Sequence, residues 1–199
     1  CLNTVGICFM FAPNFHRLSP TLAKVRRGLG FPTIFNCIGP LCNPASAPHQ
    51  LIGVWDKELV SKMAEALARL GTKRSWIVHG EDGLDEIALS GRTLVAEVDG
   101  TSVSRFELSA GDFGVDAETP SGLRPRDSAH SGEMIRGVLL GRPHTQSAED
   151  LVLVNAAAAI YISNAADGFE SSMEIARESL ASGSAHRKLE ELAAAAPIV

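Results

Sequence analysis

Residues 51–79 read LIGVWDKELVSKMAEALARLGTKRSWIVH. The outer runs, Leu51 to Trp55 and Ser75 to His79, are apolar and bounded by turn residues, as strands in a sheet covered on both faces would be. Between them Asp56 is placed to cap a helix running to Leu70. Leu59, Val60, Met63, Leu67 and Leu70 form its apolar stripe, and Gly71 is its stop. Strand, helix, strand is α/β grammar.

Upstream, Gly6 to Phe11 is a short apolar run ending at Ala12-Pro13 and reads as a buried strand. Ser19-Pro20 then offers a cap and a first-turn proline for a helix carrying Leu22, Val25 and Leu29, ended by Gly28 or Gly30. Thr33 to Ile38 reads as a further strand, closed by Gly39-Pro40. The proline-rich GPLCNPASAPH that follows, residues 39–49, is loop.

Downstream, Thr93 to Val98 and Ser102 to Leu108 flank Asp99-Gly100, a strong hairpin signal. Residues 110–130 are rich in turn formers and read as a long connection. Helices are expected near Ser131 to Leu140, from a capping box at Ser147 to Asp150 through Ile162, and over 169–182 and 184–196. The expected fold class is α/β, a mixed, largely parallel sheet flanked by helices.

A length of 199 residues suits a single domain over 1–199. The net charge of −5 gives no support to non-specific nucleic-acid binding. No run of about 18 apolar residues is present to span a bilayer. The start CLNTVGICFMFAPNFH lacks a cationic region and reads as a strand, not a signal peptide. It also lacks an initiator methionine, so a fragment or an excised domain is expected. Four cysteines without paired spacing suit small buried residues in a reduced, cytoplasmic compartment.

The stretch EDGLDE, residues 81–86, sets four carboxylates just after an apolar strand. Asp and Glu are hard oxygen donors. Magnesium takes one or two of them together with substrate phosphate, which the adjacent Asp85 and Glu86 could supply. Loops beyond strand carboxyl ends line the ligand crevice of α/β sheets. Acidic turns also commonly just face water, so the residues leave both readings open. Arg26 and Arg27 could fork onto a carboxylate or phosphate, or satisfy helix C-terminal carbonyls. His16 follows the first strand's turn and could enter a crevice. Zinc spacing, a nucleophile elbow and a P-loop are absent from the sequence.

Several blocks occur together: FMFAPNFH, VRRGLGFPTIFNCIGPLCNPA, QLIGVW, VHGEDGLDE and VLVNAAAAI. In this order the chain resembles the anthranilate phosphoribosyltransferase family, over nearly its whole length. The resemblance implies the large α/β domain of the phosphoribosyltransferase and nucleoside phosphorylase fold. It also implies transfer of the 5-phosphoribosyl group from phosphoribosyl pyrophosphate to anthranilate in tryptophan biosynthesis, releasing pyrophosphate. The implied cofactor is Mg2+, held by Asp85 and Glu86. Arg26 falls on the family's anthranilate-binding arginine, and His16 and the Gly39-Pro40 turn on positions lining its anthranilate channel. Asn43 and Asn155 match common family positions for which structural roles are expected. No catalytic acid or base is assigned.

The match has gaps. Complete members begin with a helical domain and carry a GTGGD loop, an N-x-S-T segment and a lysine- and glycine-rich loop. None of these is in the 199 residues. The chain therefore resembles the later part of the large domain. Little turnover is expected of it alone, and a homodimer is expected of the full-length enzyme. Arg17 and Pro32 stand where the family often has proline and arginine. The alternatives are a pyrimidine nucleoside phosphorylase-like enzyme, disfavoured by the Arg26 context, and a non-enzymatic nucleic-acid-binding paralogue, disfavoured by the net charge.

Overall fold

The computed structural model describes residues 1–10, 28–29, 33–116 and 120–196. At its centre is the unit read from residues 51–79. Strand β1 (His49–Gly53) runs parallel to β2 (Arg74–Gly80), joined by helix α3 (Lys57–Leu70). The Asp56 carboxylate accepts the Glu58 N–H, and Gly71 closes the helix at φ 81°, a left-handed conformation suited to glycine. Val60, Met63, Ala64 and Leu67 are the buried face of α3. The stripe is shorter than its periodicity suggests: Leu70, the last residue of the helix, is 63 % exposed.

Strands β3 (Thr93–Asp99) and β4 (Ser102–Leu108) form the expected hairpin around Asp99-Gly100. The sheet order is β1-β2-β3-β4. The mixed α/β architecture is as expected. Among the described residues its parallel part is the β1–β2 pair, because β3 and β4 pair antiparallel.

Alternation along the strands feeds two cores. Ile52, Ile77, Ala96 and Val98 face α3. Trp76, Val78, Val95 and Leu108 face helices α5 (Gln146–Ile162) and α6 (Phe169–Ala181) and a 3₁₀ turn (Ala110–Phe113). Ala157 and Ala158 are fully buried in the second core, where their small side chains let α5 lie close to the sheet. Trp76 is ringed by Phe106, Tyr161 and Phe169 at centroid distances of 5.3, 5.6 and 6.0 Å. Its indole N–H and the Arg74 guanidinium both donate to Glu97 Oε1, at 3.0 and 2.8 Å. Arg74 and His49 also donate to the terminal carbonyls of α5, at Tyr161 (3.2 Å) and Ile162 (3.0 Å). The His49 bond supplies a donor to a carbonyl of the last helical turn, while the Tyr161 carbonyl also accepts the Asn164 N–H at 3.0 Å.

Helices α4 (Ser128–Leu139) and α7 (Ser184–Ala195) lie in the second half of the chain. The cap of α4 is Asp127, and that of α5 is Thr145 instead of the expected Ser147. Thr145 Oγ1 accepts the Ala148 N–H at 3.2 Å, while the Ser147 hydroxyl is turned to the Ser121 N–H.

Two expected strands are not strands. Residues Leu2–Val5 form one helical turn, α1, ended by Gly6 at φ 84°. Residues 7–10 have no regular secondary structure, and Phe9 is 78 % exposed. A short apolar run cannot by itself distinguish strand from other structure. The run at 33–38 is helix α2 (Ile34–Leu41). There Thr33 is extended and its N–H is accepted by Asn36 Oδ1 at 3.1 Å, which starts a helix where β-branched residues suggested a strand. The helix expected from Ser19-Pro20 lies mostly outside the described residues. No helix among the described residues is long and apolar enough to cross a membrane.

Candidate functional site

Because β1 and β2 are parallel, both deliver the chain to the same end of the sheet. Strand β2 ends at Gly80 and the acidic loop follows. The loop is a built turn. Gly80 N–H donates to the Leu84 carbonyl (2.9 Å), Gly83 N–H to the Gly80 carbonyl (2.9 Å), and Leu84 N–H to Asp82 Oδ1 (3.0 Å). At its base, Glu81 N–H donates to the Arg92 carbonyl (2.8 Å) and Arg92 N–H to Glu81 Oε2 (3.0 Å). Glu81 and Asp82 are thus occupied with the turn's own backbone.

Asp85 and Glu86 are different. Both are exposed, and neither side chain makes a hydrogen bond or ion pair with any described residue. Partial desolvation and, after it, the adjacent charge of Asp85 raise the Glu86 carboxyl above its ordinary value of 4.5. Two neighbouring anions left uncompensated in this way favour a cation.

The loop is held on two sides. A Cβ on Gly53, the last residue of β1, would lie 1.5 Å from the Asp85 carbonyl oxygen, so only glycine lets the loop's main chain cross there. On the other side Ile87, Ala88 and Leu89 are buried. Ile87 N–H donates to Asn155 Oδ1 (2.9 Å), and Ala88 N–H to the hydroxyl of fully buried Thr93 (2.9 Å).

A cleft of about 690 Å³ runs along β1, lined among others by Cys8, Gly39, Pro40, Asn43, Leu51 and Gly53. Pro40 therefore lines the same cleft as Gly53, against which the Asp85 main chain rests. Asn43 caps its own loop, accepting the Ala45 N–H at 2.9 Å, as its expected structural role requires. His16 and Arg26 lie outside the described residues. Among the described residues no three His, Cys, Asp or Glu side chains gather around a common point. The chemistry of the donor set that is present, two adjacent carboxylates, fits a magnesium ion that completes its shell with water and phosphate.

Sequence reasoning did not single out Gly53 or His79. His79 Nδ1 donates to the Val54 carbonyl at 2.8 Å, which fixes the strand ends beside the loop. Only the neighbouring VHG and IGV triplets hinted at either.

An α/β sheet bearing a carboxylate pair at the carboxyl end of its parallel strands defines the class, and the chain belongs to the glycosyl transferase family, a/b domain, whose family model matches residues 1–186. The anthranilate phosphoribosyltransferase of Nitrosomonas europaea is 44% identical over 191 residues, covering 96% of this chain and 55% of that protein. The Thermus thermophilus anthranilate phosphoribosyltransferase superposes with a TM-score of 0.85 at 34% identity, over 96% of this chain and 56% of that one. The Saccharomyces cerevisiae enzyme in complex with PRPP and Mg superposes with a TM-score of 0.75 at 32% identity, over 85% of this chain and 49% of that one. The chain spans about half the length of the relatives it matches.

Proposed function

We propose that this chain carries the acceptor-side and metal-side portion of an anthranilate phosphoribosyltransferase. The observation that carries the reading is the pair of unpartnered carboxylates, Asp85 and Glu86, on a clamped loop beside a cleft that contains Pro40. In this reading Asp85 and Glu86 would hold Mg2+, which would supply neutralising charge for the pyrophosphate. Arg26 takes the carboxylate of anthranilate with a two-pronged hydrogen bond. His16 and Pro40 line the path of the flat aromatic ring.

The chemistry asks for positioning more than for a base. Departure of pyrophosphate leaves positive charge on the ribose, and an aryl amine is already nucleophilic. The chain's task is then to hold the amine in line with C1 and to keep the leaving group's partner in place. The loop's internal hydrogen bonds suit that task, because they hold the backbone that carries the two carboxylates.

The same reading takes residues 1–199 as a single domain, places the protein in the cytoplasm, and gives the full-length enzyme a homodimeric form without nucleic-acid or membrane partners. The test is a substrate screen on the intact protein, following consumption of anthranilate with phosphoribosyl pyrophosphate and Mg2+. Phosphorolysis of a pyrimidine nucleoside, with no anthranilate consumption, would overturn it. Residues 1–199 alone are expected to turn over negligibly, since the GTGGD block is not among them.

A further inference from the structure

Asn155 lies on α5 and meets the acidic loop at Ile87, two residues after the Asp85 main chain that rests on Gly53. Its carboxamide meets one residue twice. Oδ1 accepts the Ile87 N–H at 2.9 Å, and Nδ2 donates to the Ile87 carbonyl at a longer 3.4 Å. Nδ2 also donates to the Leu151 carbonyl, one helical turn back, at 3.0 Å. The amide orientation follows from these partners. A flipped side chain would set its oxygen against two carbonyls and its NH₂ against an N–H.

The bond to Leu151 ties the side chain to its own helix. The bonds to Ile87 then tie that helix to the residue directly after Glu86. A carboxamide can serve both the N–H and the C=O of a residue in this way, as a neighbouring strand would. No strand is available here, because residues 84–92 are in no ladder. Thr93 adds a second bond at Ala88, so the loop's exit is fixed over two consecutive residues. Its entry is fixed by the Glu81–Arg92 clasp.

We infer that Asn155 is a positioning residue for the divalent-cation site: it sets the direction in which Asp85 and Glu86 present their carboxylates. The inference rests on the proposed metal reading of that pair. It goes beyond a fold-stabilising role, since the bonded N–H belongs to the peptide that leads out of Glu86. Partners that orient metal ligands typically change metal affinity about 10–100-fold when removed.

The experiment is a Mn2+ titration of the intact protein, read by electron paramagnetic resonance, with thermal melting alongside. Asn155→Ala is expected to weaken Mn2+ binding at least about tenfold. Ser172→Ala is the control: it removes a buried hydroxyl bonded to Gly168 at 2.7 Å, in α6 and away from the loop. It is expected to lower the melting temperature while keeping wild-type Mn2+ affinity. If Asn155→Ala does not fold, Asn155→Ser, which retains a short acceptor, takes its place with the same expectation. Wild-type affinity in the Asn155 variant overturns the inference, and so does an equal loss in Ser172→Ala. Unchanged binding in Asp85→Ala/Glu86→Ala removes the metal site itself, and the positioning role with it. Loss in that double variant with no loss at Asn155 removes the positioning role alone.

Discussion

The carbonyl oxygen of Asp85 occupies the space beside the Gly53 Cα, 1.5 Å from where a Cβ would stand. One glycine hydrogen thus decides whether the acidic loop can rest on the end of β1. Gly53→Ala must push either the loop or the strand aside, and both contacts are main chain. Overpacking of this kind costs about 1–3 kcal/mol. The expected result is a lower denaturant midpoint together with a raised Mg2+ requirement in the intact protein. A variant that kept both would show that the loop has room to move.

Asp85→Ala combined with Glu86→Ala is expected to raise the Mg2+ concentration needed for half-maximal activity by about tenfold or more, as loss of hard oxygen ligands should. Thermal stability should not fall, because neither side chain has a partner among the described residues. An unchanged Mg2+ titration would take the metal away from this pair.

Glu86 gives a pH signature. Its carboxyl titrates above the ordinary 4.5 in the folded protein, so the folded state binds that proton more tightly than the unfolded chain. The cost to stability is absent well below pH 4.5 and grows as the pH rises through the raised folded value. Glu86→Gln should therefore raise the melting temperature near neutral pH, in metal-free buffer, and change it little in acid. Equal shifts in both buffers would contradict the sign.

Glu97 accepts from both Arg74 and Trp76, and the side chains of the ion pair are only 18 % and 21 % exposed. Glu97→Ala leaves the Arg74 Nε–H and the Trp76 indole N–H without their acceptor, while Arg74 Nη1 keeps the Tyr161 carbonyl and Asn164 Oδ1. A loss of about 2–4 kcal/mol is expected, toward the lower end where water still reaches the pair. Chemical denaturation checks this, and a loss below about 0.5 kcal/mol would mark the pair as solvent-screened.

The βαβ unit was legible because its signals are local: a cap at Asp56, a stop at Gly71, a stripe on α3 and a turn at Asp99-Gly100. The acidic loop was legible by composition. What sequence could not divide was its labour, since Glu81 and Asp82 bond to the turn while Asp85 and Glu86 do not. Helix α2 was misread because Thr33, Ile34 and Phe35 favour a strand in isolation, whereas the Thr33–Asn36 capping bond decides otherwise. Gly53 and Asn155 matter through partners 32 and 68 positions away in the chain, a separation that no local pattern encodes.

The chain has two tryptophans, and the sheet treats them differently. Trp76 is 1 % exposed among three aromatic rings, while Trp55, just past the end of β1, is 40 % exposed. Their emission should therefore separate into a blue component quenched little by iodide and a red component quenched readily. The molecule thus carries one optical reporter for its interior and another for the rim near the acidic loop, with no label added.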